Sequence, residues 1–173
     1  VLRFTYNRLC ENSKYSTKEL TAFQANLNNV NDCKSHLKCS AIYKSRELYA
    51  INKVSNPQKV IFGGRKNFID RCQHKISKEE FAKNRTRPIC SIGQSNRHGN
   101  RLFKIMDSHT ILFKPDSEHH IQLHLNDVGK NRENQLCKLI ELQNLNYVSL
   151  TYELDLEYVY ITFDNSIFEN NRY

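Results

Sequence analysis

The sequence contains no apolar run approaching the roughly 18 residues that a membrane-spanning helix needs, so no membrane association is expected. Its opening, VLRFTYNRLCENSKY, lacks an apolar stretch followed by small residues. No secretory leader is read there, and a cytoplasmic protein is expected. Val1 stands where an initiator Met would, which leads to the expectation of an unusual start codon or of a chain that begins inside a longer protein. Six cysteines are scattered (Cys10, Cys33, Cys39, Cys72, Cys90 and Cys137) without a C-x-x-C pair. With no export signal, reduced thiols are expected rather than a disulfide framework. Internal repeats and low-complexity tracts are also missing.

The motifs of common catalysis are absent as well. There is no G-x-S-x-G and no H-E-x-x-H. The acids Glu153, Asp155, Glu157 and Asp164 fall at strand ends or turns, where carboxylates belong anyway, and nothing marks the dispersed acidic set of a two-metal nuclease. Cys33, His36 and Cys39 recur every three residues near one helical face, but no further ligand completes a zinc set, so the thiols are read as helical core. His119 and His120, as neighbours on a strand, would point to opposite sides. No catalytic residue, metal site or cofactor is expected, and the chain reads as a basic binding module.

What is present is charge, unevenly placed. Of a formal net charge of +8, residues 1–58 hold +5, residues 59–104 hold +9 from 12 Lys and Arg against 3 Asp and Glu, and residues 105–173 hold −6. So one-sided a block raises the local potential and attracts polyanions, nucleic acid first among them. At its head stands IFGGRKNFIDR, residues 61–71. The paired glycines are not a Walker loop, which places Lys and Ser or Thr after spaced glycines, nor are they G-x-G-x-x-G. Gly63 and Gly64 are read as a turn at a helix end, in left-handed conformation, aiming Arg65, Lys66 and Arg71 outward from one place.

The first half reads as helices. LRFTYNRLCEN places Leu2, Tyr6, Leu9 and Cys10 on one face. Ser16 with Glu19 and Ser77 with Glu80 form capping boxes, the first followed by a Leu20, Phe23, Leu27 stripe. Leu37, Ala41, Leu48 and Ile51 share a side of a third helix; Pro57 marks a helix start and Pro88 a helix end. After the Gly-, Ser- and Asn-rich stretch 88–100, a domain boundary, the pattern turns to strands. Two flank a turn near Asp107–Ser108, and Ile121, Leu123 and Leu125 alternate inward against Gln122 and His124. A helix bearing Leu136, Leu139 and Ile140 intervenes. Val148, Leu150, Tyr152 and Leu154, then Val159, Ile161 and Phe163, form a hairpin turning near Asp155–Glu157. The fold class is α+β: an N-terminal helical bundle followed by a small β-barrel-like domain with one inserted helix.

Three stretches carry a resemblance: FGGRKNF, RPICSIG and GNRLF, framed by LRFTYNRLCE at the start and VSLTYELDLEYVYITFD at the end. Over nearly its whole length the chain resembles the N-terminal half of TnpB-type proteins, transposon-encoded RNA-guided nucleases similar to type V CRISPR effectors. The resemblance implies a helical recognition lobe over 1–95 and a β-rich wedge domain over 96–173. In that family a RuvC-like nuclease domain with three metal-binding carboxylates, interrupted by a zinc-binding Cys motif, follows the last wedge strand. Tyr173 stands about where it would begin, and the first wedge strand before RFTYNR is absent or cut short. The resemblance therefore implies a noncatalytic fragment: a natural remnant, half of a split gene, or an incomplete reading frame.

The expected function is binding of guide RNA and target DNA, with phosphates gripped by Arg65, Lys66, Arg71, Lys83, Arg85, Arg87, Arg97 and Arg101, and with sequence read by base pairing. Phe62, Phe68 and Phe103 are read as core. A separately encoded nuclease half is a further partner that the resemblance leaves open. The alternatives are a stand-alone DNA-binding regulator acting on duplex DNA and a nonfunctional transposase remnant.

Overall fold

A computed structural model of the chain describes residues 1–27, 35–55, 60–85, 89–126, 128–155 and 157–169. Cys33, Pro57, Arg87 and Pro88 lie outside them. The class is α+β. Contacts divide the chain into two units, Val1–Asn31 with Ala41–Pro88, and Asp32–Ser40 with Ile89–Tyr173.

The first unit is helical. It holds α1 (Leu2–Glu11), α2 (Thr17–Ala25), α3 (Ser35–Ser55) from Ala41 on, α4 (Arg65–Cys72) and α5 (Lys78–Asn84). Ser16 caps α2 as its spacing predicts, accepting from the Glu19 amide while the Glu19 carboxylate accepts from the Ser16 amide. Leu9, Leu20 and Ile42 form the core, with Tyr15, Phe23 and Tyr49 packed around them. Cys10, placed on the buried face of α1 by its spacing, is exposed; Thr5, Tyr6 and Leu9 are the buried positions. Residues 60–64 are a turn and not the helix expected after Pro57. The Tyr6 hydroxyl accepts from the Val60 amide at 3.3 Å, and the Phe62 ring packs edge-on against Tyr6 at 5.5 Å, which holds this stretch down without helical bonds.

The buried stripe of α3 differs from expectation. Ile51 is 56% exposed, Leu37, Ala41 and Leu48 are half-buried, and the buried positions are His36, Ser40, Ile42 and Ser45. The polar members are buried because each has a partner: Ser45 Oγ is hydrogen-bonded to the carbonyls of Leu2 and Ala41, Ser40 Oγ accepts from the Ile92 amide, and His36 Nε2 lies 3.2 Å from the Ile92 carbonyl.

The second unit holds β1 (Ile89–Ser91), β2 (Phe103–Asp107), β3 (Thr110–Phe113), β4 (Ile121–His124), α6 (Lys130–Asn144), β5 (Thr151–Leu154), β6 (Val159–Thr162) and α7 (Ser166–Glu169). The strands form two antiparallel sheets of three, in orders β1-β5-β6 and β2-β3-β4. Among the described residues neither sheet closes on itself, so the barrel expected from the strand count is replaced by two open sheets. The reason lies in β1, inside the stretch read as a boundary. It pairs with β5 (Ser91 opposite Tyr152) and so removes β5 and β6 from the meander of β2, β3 and β4. The turn at Ser108–His109 falls where the sequence placed it, closed by Asp107 Oδ1 accepting from the His109 amide at 2.8 Å. Leu123 and Leu125 pack toward the core as expected, whereas Ile121, at the start of the edge strand β4, is 45% exposed.

Phe103 joins the two sheets. Its ring stacks on Phe113 at 4.5 Å and on Tyr152 at 4.8 Å. Leu136, Leu139 and Leu142 of α6 close the same core. Gln143, also on α6, is fully buried and covers the outer edge of β2 as a strand would, its amide donating to the Ile105 carbonyl and accepting from the Ile105 amide. α6 ends with Asn146 in left-handed conformation: the Asn146 amide donates to Gln143 and the Tyr147 amide to Leu142, a Schellman closure.

Candidate nucleic-acid interface

Five of the candidate cations belong to α4, α5 and the residues beside them. Gly63 and Gly64 both take positive φ, +87° and +85°, and the Gly64 amide donates to the Ile61 carbonyl. The pair opens a helix rather than closing one, since Gly64 is the N-cap of α4. A side chain at Gly63 would place its Cβ 2.7 Å from Arg85 Cγ, so the two helices meet where a glycine leaves room. α4 ends in a Schellman closure with His74 in the left-handed position, and Ser77 with Glu80 then caps α5 as the spacing predicts.

Neither α4 nor α5 has a buried residue. A hydrogen bond between side-chain amides joins them, and further contacts tie α4 to the connecting turn and Arg85 to its own helix. Asn84 donates to Asn67 Oδ1 at 3.0 Å, Arg71 donates to the Ile76 carbonyl at 3.3 Å, and the Arg85 guanidinium lies 4.3 Å above the Phe81 ring. The candidates therefore separate. Arg65, Lys66 and Lys83 are exposed, while Arg71 and Arg85 are half-buried and engaged within the hairpin. Phe62 and Phe103 are buried as expected. Phe68 is not core: it is 45% exposed on α4, three residues from both Arg65 and Arg71, because α4 packs no face into a core.

Arg97 and Arg101 belong to the second unit, in the segment built around Asn100. The buried Asn100 amide makes five hydrogen bonds. Its oxygen accepts from Ser91 Oγ and from the amides of Leu102 and Phe103, and its nitrogen donates to the carbonyls of Ser91 and Leu150. Ser91 Oγ also meets His36 Nε2 at 3.1 Å. The Ile92 carbonyl beside that nitrogen can only accept, so the ring carries its proton on Nε2. Burial lowers the proton affinity of His36; the bond to Ile92 opposes that, and the positive field of Arg101 reinforces it. Gly93 lies so close to β5 that a Cβ there would stand 2.4 Å from the Leu150 amide nitrogen.

Arg97 and Arg101 share a cleft of about 300 Å³ with Lys104 and Lys114, two cations that the sequence reading left out. Lys104 occupies an outward position in the alternating strand FKIMD, and that alternation was the signal that would have found it.

The histidines and acids have local duties. His119 and His120 precede β4 rather than lying on it, and His119 Nδ1 pairs with Asp116 Oδ2 at 2.8 Å. Amides of His119 and Glu118 hold the Asp116 carboxyl at about 2, below the usual carboxylate range. Asp155 and Asp164 likewise accept from amides in turns. Among the described residues, no group of three or more His, Cys, Asp or Glu side chains is placed to hold a metal ion, and no helix is long and apolar enough to cross a membrane. No protein-family model, curated protein or solved structure matches the chain.

Proposed function

We propose that the chain is a noncatalytic nucleic-acid-binding module, the recognition and wedge portion of a TnpB-like RNA-guided endonuclease, that engages guide RNA and target DNA. The observation that carries this reading is the segregation of charge. Residues 59–104 hold a net +9, and within them the α4–α5 hairpin sets Arg65, Lys66 and Lys83 at the surface without using them to hold the fold. Exposed cations on a short, coreless hairpin suit a phosphate backbone, whose condensed counterions they release. The β-rich unit serves as the wedge, and a separately encoded nuclease half supplies the chemistry.

The test is a salt titration of binding to a structured RNA from the same locus and to duplex DNA of equal charge. The RNA is expected to bind more tightly at matched salt. Replacing Arg65, Lys66 and Lys83 with Gln should shrink the log–log salt slope for RNA by roughly 2–3 units, at ~0.7–0.9 per phosphate contact. Equal or better affinity for the duplex would move the reading to a stand-alone DNA-binding regulator. An unchanged slope would take the hairpin out of the interface.

A further inference from the structure

Helix α4 is turned against its own pattern. Arg65, Phe68, Ile69 and Cys72 recur at i, i+3, i+4 and i+7, the spacing with which a helix ordinarily buries one face. All four are exposed, Phe68 at 45% and Ile69 at 40%. The half-buried positions are the polar ones, Asn67, Asp70 and Arg71. Hydrogen bonds hold two of them there: Asn67 Oδ1 accepts from Asn84, and Arg71 donates to the Ile76 carbonyl. The polar side of α4 therefore takes the inside of the hairpin, and the aromatic and aliphatic side chains are left facing out.

Cations border this outward face. Arg65 lies one turn before Phe68 and Lys66 one turn before Ile69, so each apolar side chain has a cation as its helical neighbour. Neither Arg65 nor Lys66 forms an ion pair among the described residues. The single acid of α4, Asp70, stands on the opposite side of the helix. Over residues 65–85 seven Lys and Arg stand against three Asp and Glu, so a polyanion is the complementary occupant. One face of an eight-residue helix is about 12 Å long. That is a small part of the ~800 Å² per partner that a stable protein interface buries, but it is enough for a base. A duplex keeps its base faces inside its own stack and offers phosphates only. An unpaired base offers both a flat apolar face and the phosphates on either side of it.

We infer that this face of α4 stacks an unpaired base on Phe68, with Ile69 widening the apolar floor and Arg65 and Lys66 holding the flanking phosphates. The ligand class is thereby narrowed to nucleic-acid segments with unpaired bases. This deepens the proposed function and rests on it in one point, that the α4–α5 hairpin meets nucleic acid.

The experiment is fluorescence anisotropy of the full chain at fixed salt with three labelled probes of equal phosphate count: single-stranded oligothymidylate, an abasic oligomer and a duplex. Oligothymidylate should bind about tenfold more tightly than the abasic oligomer, the effect of one base stacked on an aromatic side chain. Phe68→Ala should abolish that advantage while leaving duplex affinity unchanged and the melting temperature little altered. The chain has no tryptophan, so Phe68→Trp introduces a single reporter at this position. It should keep the preference for bases, and its emission should be quenched by oligothymidylate and not by the abasic oligomer. Absence of a base preference, a preference that survives Phe68→Ala, or unquenched Trp emission would overturn the inference. So would an oligomer in sedimentation that Phe68→Ala dissociates, which would assign the stripe to a second copy of the chain. Changing Arg65, Lys66 and Lys83 to Gln separates this inference from the reading beneath it. A reduced salt slope without a base preference keeps the hairpin as a phosphate contact and removes only the stack; an unchanged slope removes both.

Discussion

The first unit buries Leu9, Leu20 and Ile42 between helices, then extends into α4 and α5, which bury nothing; an amide pair joins them, an Arg-to-carbonyl bond ties α4 to the connecting turn, and a ring contact stays within α5. The second unit places Phe103 between Phe113 and Tyr152, and threads Asn100 and Gln143 through the same interior as polar ties. The contrast separates where charge can be changed from where it cannot. Exposed cations on the hairpin contribute little to folding and are free to serve a ligand. In the second unit, buried polar groups set the frame from which the cleft cations hang, so damage to the frame should reach the cleft even when no cation is touched.

The largest effect should come from that frame. Asn100→Ala removes five hydrogen bonds and leaves the amides of Leu102 and Phe103 and the carbonyls of Ser91 and Leu150 without this partner. Each orphaned buried group costs about 1–3 kcal/mol, with relaxation recovering part, so a loss of ~3–5 kcal/mol is expected in urea denaturation. Asn100→Asp should also destabilise, since it keeps the acceptors but replaces two donors with oxygen. A loss below ~1 kcal/mol for the Ala variant would remove Asn100 from the frame.

Next is the hairpin's own weak point. Gly63 and Gly64 share a positive φ, but a Cβ at Gly63 would crowd Arg85 and Asn67, while one at Gly64 meets nothing within 4 Å. Gly64→Ala should therefore carry backbone strain alone, ~1 kcal/mol, and Gly63→Ala should cost ~2 kcal/mol or more. Because α4 and α5 lack a core, hydrogen exchange should accelerate at their amides and stay unchanged in the second unit. Equal effects at the two glycines would mean that the close approach of Arg85 plays no part.

How much of this was legible varies with the range of the forces involved. The capping boxes at Ser16 and Ser77 and the Asp107 turn are local, made within a few residues, and the spacing alone placed them. The outward direction of Arg65 and Lys66 followed from the same local reading. Pairing of β1 with β5 was not legible, because a three-residue strand finds its partner some sixty positions away. Nor was the buried His36, Ser40 and Ser45 stripe, since polar residues read as surface until their partners are known. The cleft was partly legible. Arg97, Arg101 and Lys104 stand in the basic block, and the alternation of FKIMD turns Lys104 outward, whereas Lys114 joins them only when β2 and β3 pair.

A smaller effect concerns pH. The folded-state proton affinity of His36 lies below its ordinary value, first through burial and also through the field of Arg101. Above the unfolded value, about 6.5, the ring is neutral in both states and its contribution is complete. As pH falls below that, the unfolded chain takes up the proton first and stability is lost. Melting temperature should decline between about pH 7 and 5, and His36→Gln, which keeps a donor for the Ile92 carbonyl, should flatten that decline. An identical slope in the variant would assign the pH dependence to other groups.

The smallest effect has the most particular sign. Tyr152 is fully buried between the sheets, its ring stacked on Phe103, and its hydroxyl has no hydrogen-bond partner among the described residues. Burial alone pushes its ionisation far above the ordinary tyrosine value. A hydroxyl moved from water to an apolar site without a partner costs about 1–3 kcal/mol on mutational scales. Tyr152→Phe keeps the ring and its stacking while removing that group, but leaves a small void where the oxygen stood. These two terms nearly cancel, so the variant should be unchanged or more stable by up to ~1 kcal/mol, the reverse of the usual direction for a core substitution. The comparison with Asn100 is what gives the measurement value: two polar groups of one interior, one with every bond made and one with none. If Tyr152→Phe lost ~1 kcal/mol or more, its hydroxyl would have to be bonded in solution, and the contrast between a satisfied Asn100 and an unsatisfied Tyr152 would fail.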